Sequence, residues 1–141
     1  MALALCALVG LPACFSGAPC QDDSDCGDSL CTRTGECSVE VVSVILHWTL
    51  DGRAPDEQSC AEVGQLSVVF EDQEVERELT YEPVRCTLGR IYFDRMPSRF
   101  DRVTLRADDP SGRLLDERTV SLGRRGIEVM LDLRIQGARV D

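Results

Sequence analysis

The stretch Val41-Val42-Ser43-Val44-Ile45-Leu46-His47-Trp48-Thr49-Leu50 decides the fold. Val42, Val44, Leu46, Trp48 and Leu50 fall on every second position, with Ser43, His47 and Thr49 between them. That period of two marks a strand with one face buried and one in water. On this reading Trp48 points inward with the rest of the apolar face. Asp51-Gly52 follows at once, a dipeptide suited to a tight turn, and closes the strand.

The same period recurs downstream. Leu66, Val68 and Phe70 alternate, then Val75, Arg77, Leu79 and Tyr81 more weakly, with Glu74, Glu76 and Glu78 on a face that must meet water. Val84-Arg85-Cys86 and Ile91-Tyr92-Phe93 read as short strands separated by Gly89. Val103, Leu105 and Ala107 lead into Asp108-Asp109-Pro110-Ser111-Gly112, a strong turn signal. The chain returns from Leu114 to Leu122, turns from Gly123 to Gly126, and ends in Ile127, Val129, Leu131, Leu133 and Ile135. Between Pro55 and Val63 there is room for one helical turn, ended by Gly64, and no stretch carries a sustained helical period. Seven or eight short strands with frequent turns predict an all-β, antiparallel β-sandwich.

Ahead of the sandwich lies a block that no hydrophobic core can hold together. Cys20, Cys26, Cys31 and Cys37 are spaced by five, four and five residues, filled with Asp22, Asp23, Asp25, Gly27, Asp28, Gly35 and Glu36, and Leu30 is almost the only apolar residue. Disulfides must do that work. Four cysteines allow three pairings, and the interleaved Cys20–Cys31 with Cys26–Cys37 is preferred. Cys60 and Cys86 are then left for each other, closing a loop around the acidic strand; the competing pairing would tie one of them to the front block. Zinc fits badly, because its cysteine pairs sit two to four apart and no histidine is near. An EF-hand calcium loop with Gly27 as its glycine would place Arg33 where a glutamate belongs. No metal and no cofactor are expected.

The N-terminal 13 residues are apolar up to Leu11-Pro12-Ala13-Cys14, and this end resembles bacterial lipoprotein signals, with Leu11, Ala13 and Cys14 on the pattern and Pro12 off it. The resemblance implies cleavage before Cys14, a lipid on that cysteine, and export to the cell envelope. The run is far shorter than the ~20 residues of a spanning helix. With Cys6 removed and Cys14 acylated, six cysteines remain, an even number suited to an oxidising compartment. Asp23-Ser24-Asp25-Cys26 is similar to the Asp-x-Asp-Cys signature of small Cys-rich segments in exported proteins. Met96-Pro97-Ser98-Arg99-Phe100 before Val103–Asp108, with Gly112 after, resembles the Leu-Pro-x-Gly-x-Tyr and Asp-x-x-Gly pattern of prealbumin-like (transthyretin-like, carboxypeptidase-regulatory-like) sandwiches; an immunoglobulin-like topology is the alternative. The expected organisation is a signal peptide over 1–13, a tether and four-cysteine module over 14–38, a β-sandwich over 39–136 and a frayed tail over 137–141.

Composition narrows function without naming it. The chain carries 25 Asp and Glu against 15 basic residues, all of them Arg, for a net charge of −10. That excess argues against general nucleic-acid binding. His47 is the sole histidine and stands beside no Ser or Cys nucleophile motif; Gly-x-Ser-x-Gly, phosphate-binding glycine loops and His-Glu-x-x-His are all missing from the sequence. The series Arg85, Arg90, Arg95, Arg99, Arg102 and Arg106 reads better as ion pairing with the acidic half of the same domain than as an anion site. The expectation is a non-enzymatic envelope lipoprotein, a binding or structural accessory whose partners are the membrane, through its lipid, and an envelope protein or ligand. Two alternatives stand beside it. One is a secreted inhibitor presenting Gly27 to Leu30 to a protease, with Leu30 as anchor. The other is a sugar-binding sandwich using exposed aromatics among Trp48, Tyr81 and Tyr92.

Overall fold

The computed structural model describes residues 19–72, 74 and 76–136. The signal segment 1–13, Cys14, Val75 and the tail 137–141 lie outside the described residues. A two-stranded hairpin, β1 (Leu30–Cys31) and β2 (Cys37–Ser38), belongs to the cysteine block. Seven longer strands make the body: β3 (Val41–Leu50), β4 (Gln65–Asp72), β5 (Arg77–Tyr81), β6 (Arg90–Pro97), β7 (Arg102–Asp108), β8 (Leu114–Ser121) and β9 (Gly126–Leu133). They form one sheet in the order β6-β3-β9 and a second in the order β5-β4-β7-β8.

β3 is the centre of the three-stranded sheet. Val44 and Leu46 are fully buried, Trp48 and Leu50 nearly so, and Ser43, between Val42 and Val44, is exposed. Each such large side chain removed from water contributes about 1.5–3 kcal/mol. The indole of Trp48 has a polar atom to satisfy, and its Nε1 donates to the Cys86 carbonyl at 2.9 Å. From the facing sheet come Leu66, Val68, Phe70, Val103, Leu105 and Ala107, all buried. Phe70 stands edge-on to Phe93 with ring centroids 5.0 Å apart, the favoured geometry for aromatic pairs.

One pairing departs from antiparallel order. β3 runs parallel to β9, from Ser43 opposite Gly126 to Leu50 opposite Leu133. A side-chain period of two fixes which face is buried but says nothing of strand direction. The close approach at the start of this pair needs glycine, because a Cβ on Gly126 would lie 1.8 Å from the Ser43 carbonyl oxygen, at φ +83°. The partition of strands also excludes an immunoglobulin arrangement. That fold groups its first, second, fourth and fifth strands, whereas here the first, fourth and seventh body strands share a sheet.

Three local expectations are corrected. Val84-Arg85-Cys86 is not a strand; Cys86–Leu88 is a 3-10 turn closed by Gly89 at φ +65°, its Cys86 carbonyl accepting from the Gly89 amide and the Trp48 indole. Glu74 and Glu76 lie in the turn before β5, with Glu76 at φ +49°, so only Glu78 of the three belongs to the strand. Ile91–Phe93 is part of a longer strand that runs on to Pro97. The helical turn is α1 (Glu57–Cys60), capped by the Asp56 carboxylate accepting from the Ser59 amide at 2.7 Å. Cys60 of this turn is bonded to Cys86, a separation of 26 residues.

Candidate functional site

The cysteine block is built by covalent bonds and by carboxylates turned onto backbone N–H groups. Its disulfides are Cys20–Cys31 and Cys26–Cys37. Asp22 caps a 3-10 turn over Asp23–Cys26, accepting from the Ser24 amide at 2.8 Å, and Asp25 accepts from the Gln21 amide at 2.8 Å. The Ser24 hydroxyl and amide hold the Asp22 carboxyl below its ordinary range. Asp23 accepts from the Cys31 amide at 2.8 Å. The acidic cluster is thus a set of caps. The Sγ atoms of Cys20, Cys26 and Cys37 lie within 4.8 Å of one another, and all three are already in disulfides, so no thiolate is offered to a metal.

The block is seated on a β-bulge in β6. Val42 faces Met96 and Val44 faces Phe93, so Asp94 and Arg95 together oppose Ser43. Arg95 adopts φ +52°, a left-handed conformation that costs a non-glycine residue about 1–2 kcal/mol. The bulge turns Arg95 toward the block. Its Nε donates to the Cys31 carbonyl at 2.8 Å, its Nη2 pairs with Asp23, and its own carbonyl accepts from the Arg33 amide at 2.8 Å. Arg33 grips the same bulge, donating to the Asp94 carbonyl at 3.1 Å and carboxylate at 3.0 Å. Its guanidinium also lies 5.4 Å from the Phe93 ring centroid and closes the side of the sandwich there. A second clamp joins Arg99 to both oxygens of Glu36, at 2.8 and 3.2 Å, and to the buried Asp72 at 3.3 Å. The Glu36 hydrogen bond raises the Arg99 pKa further above its usual range.

Between block and bulge lies an open cleft of about 670 Å³ whose lining includes Asp23, Arg33, Thr34, Asp94 and Arg95. Its two arginines are paired with Asp94 and Asp23, and its third carboxylate, Asp22, accepts from Ser24, so the charges that would grip an ionic ligand are already engaged. A smaller cavity of about 150 Å³ lies between the α1 region and Ile135.

The residues singled out in the sequence fall in different places. His47 lies on the outer face of the three-stranded sheet with Nε2 3.1 Å from Glu128 Oε1. Trp48 is buried, so among the described residues Tyr92, 55 % exposed, is the aromatic most open to water. Leu30 is half-buried and paired with Ser38 in the hairpin. Arg95, Arg99 and Arg102 pair with Asp23, Glu36, Asp72 and Glu71 of the acidic half, and Arg106 pairs with its neighbour Asp108. Arg85 and Arg90 are exposed. Sequence reasoning missed Arg33 and the bulge, since no glycine or asparagine marks position 95.

Fold and site together define an all-β protein with a disulfide-rich head fixed to one edge of a seven-stranded double sheet. Comparison with protein-family models, with curated proteins and with solved structures gave no match. Among the described residues no helix is long and apolar enough to cross a membrane.

Proposed function

We propose that this is a non-catalytic protein of the cell envelope, exported and held at the membrane by a lipid on Cys14, where it serves as a binding or structural accessory. One observation carries the reading. All six cysteines of the described chain are joined in three disulfides, which persist in an oxidising compartment outside the cytoplasm. The lipobox-like Leu11-Pro12-Ala13-Cys14 supplies the anchor in this reading, and the braced head follows it at once. A prealbumin-like body is supported by the strand partition that excludes the immunoglobulin alternative, and by Met96-Pro97 leading from β6 toward β7. The inhibitor reading has less support, because its anchor Leu30 is drawn into the hairpin. Intact-mass analysis of protein expressed with its native N-terminus tests the proposal. The expected mass is that of a chain beginning at Cys14 with acyl chains attached; an unmodified chain beginning at Pro19 overturns it.

A further inference from the structure

The two sheets present very different outer faces. On the four-stranded sheet, Thr80, Val69, Thr104 and Thr119 form one row across β5, β4, β7 and β8. Thr104 and Thr119 share a hydrogen bond of 2.7 Å, and ion pairs flank them, Arg102 with Glu71 and Arg106 with Asp108. That face is predominantly polar, with Thr104 and Ser67 themselves buried among their neighbours. On the three-stranded sheet, Tyr92, Ile45 and Glu128 make one row, and Arg90, His47 and Met130 the next. Tyr92, Ile45 and Met130 therefore run diagonally across it as an apolar stripe, with Tyr92 55 % and Met130 61 % exposed.

We infer that this outer face, with Tyr92, Ile45, Met130 and Arg90, lies against the lipid surface to which the chain is tethered. The inference rests on the lipid-anchor reading and adds an orientation to it. Three observations choose a bilayer over a protein as occupant. The first is where the described chain begins. Cys20 donates its amide to the Gly35 carbonyl at 2.9 Å, and Pro19 packs so tightly on Gly35 that a Cβ there would lie 2.7 Å from it. That loop also carries Arg33, bound to Asp94, two residues from Tyr92 on β6. The five residues between Cys14 and Cys20 reach about 20 Å at most, so a lipid on Cys14 is held within that distance of the side of the sandwich that the head covers.

The second observation is area. At about 200 Å² for a whole large side chain, the exposed fractions of Tyr92 and Met130 offer roughly 230 Å². A stable protein interface takes ~800 Å² from each partner, polar and apolar together, of which these two side chains would be a minor part. A tethered protein needs far less, because its second contact is intramolecular. The third is chemistry. In a chain of net charge −10, this face carries Arg90, exposed and without an ion pair among the described residues, while Asp94 is paired with Arg33, Asp132 with Arg134, and Glu128 is hydrogen-bonded to His47. A tyrosine with an arginine at the edge of an apolar stripe is the composition that settles at headgroup depth.

The test uses the full chain with its native N-terminus, reconstituted in vesicles of phosphatidylethanolamine and phosphatidylglycerol with brominated acyl chains. Tyr92→Trp reports on this face, Leu114→Trp on the opposite sheet, and the unsubstituted protein corrects for Trp48. Bromolipid quenching of Tyr92→Trp is expected to exceed that of Leu114→Trp at least twofold. Adding Arg90→Glu to Tyr92→Trp should lower the quenching. Equal quenching at the two positions on a chain whose mass shows acylated Cys14 overturns the orientation and leaves the anchor standing. A blue shift of Tyr92→Trp without quenching assigns the face to a protein and also overturns it. An unacylated mass removes the anchor, and the orientation with it.

Discussion

Replacing Arg95 separates what its side chain does from what its backbone costs. Arg95→Ala removes the 2.8 Å bond to the Cys31 carbonyl and the pair with Asp23, and leaves the φ of +52° in place. A hydrogen bond from a charged donor is worth about 1.5–3 kcal/mol when buried. Here the arginine side chain is 40 % exposed and Asp23 48 %, so half that for the bond and some tenths for the pair is appropriate, near 2 kcal/mol together. Arg95→Gly loses the same contacts but relieves the left-handed backbone, recovering about 1 kcal/mol. The head should therefore undock about 30-fold more readily in the alanine variant and about 5-fold more readily in the glycine variant. Global denaturation is the wrong assay, because the disulfides let the head lift away while the sandwich stays folded. Amide hydrogen exchange at Arg33 measures undocking directly, since its amide is bonded across the seat to the Arg95 carbonyl. Equal exchange in the two variants refutes the strain at position 95. Unchanged exchange in both refutes the role of Arg95 in holding the head.

Trp48→Ala should lower stability by roughly 3–5 kcal/mol, since the buried indole also satisfies the Cys86 carbonyl; a denaturant melt shifted by less than 1 kcal/mol would place the residue outside the core. Replacing both Cys60 and Cys86 with alanine reopens a 26-residue loop, at a cost of about 3.5 kcal/mol by loop-closure entropy, and an unchanged melt would refute that constraint. Asp109 is held at a pKa of about 2, first by the Ser111 hydroxyl and next by the Arg113 amide. A carboxyl lowered on folding stabilises the fold above its unfolded value near 3.8, and that contribution fades as pH falls toward 2. Carboxyl NMR titration should give a midpoint near 2 for Asp109, and Asp109→Asn should flatten this part of the acid limb; a midpoint near 3.8 would remove the turn from the account.

The alternating strands were legible because each has one face in the core. Val42 to Leu50, Leu66 to Phe70 and Val103 to Ala107 announce themselves by period alone. Asp51-Gly52 and the Asp109 turn were legible from residues that tolerate or stabilise tight geometry. Strand direction and partner were not, since the same inward face serves a parallel or an antiparallel neighbour. Glu74, Glu76 and Glu78 mimic a strand face by spacing, yet the left-handed Glu76 breaks it. The seat of the head was invisible for a related reason. Its key residue takes an uncommon backbone conformation without glycine, and the reward for doing so comes from Cys31 and Asp23, more than 60 positions earlier.

The parallel pair β3–β9 bears on the order of events during synthesis. From Ser43 to Leu50, each residue of β3 meets a partner 83 positions later, as Thr49 meets Asp132. Contacts of such span must wait for loop closure and slow the search for the native state. A chain emerging N-terminus first can close its small disulfide hairpin early, within 11 residues. The middle strand of one sheet has no second neighbour until nearly all of the polypeptide has appeared. Such a body stays open until its last strand arrives, and locks late and as a unit.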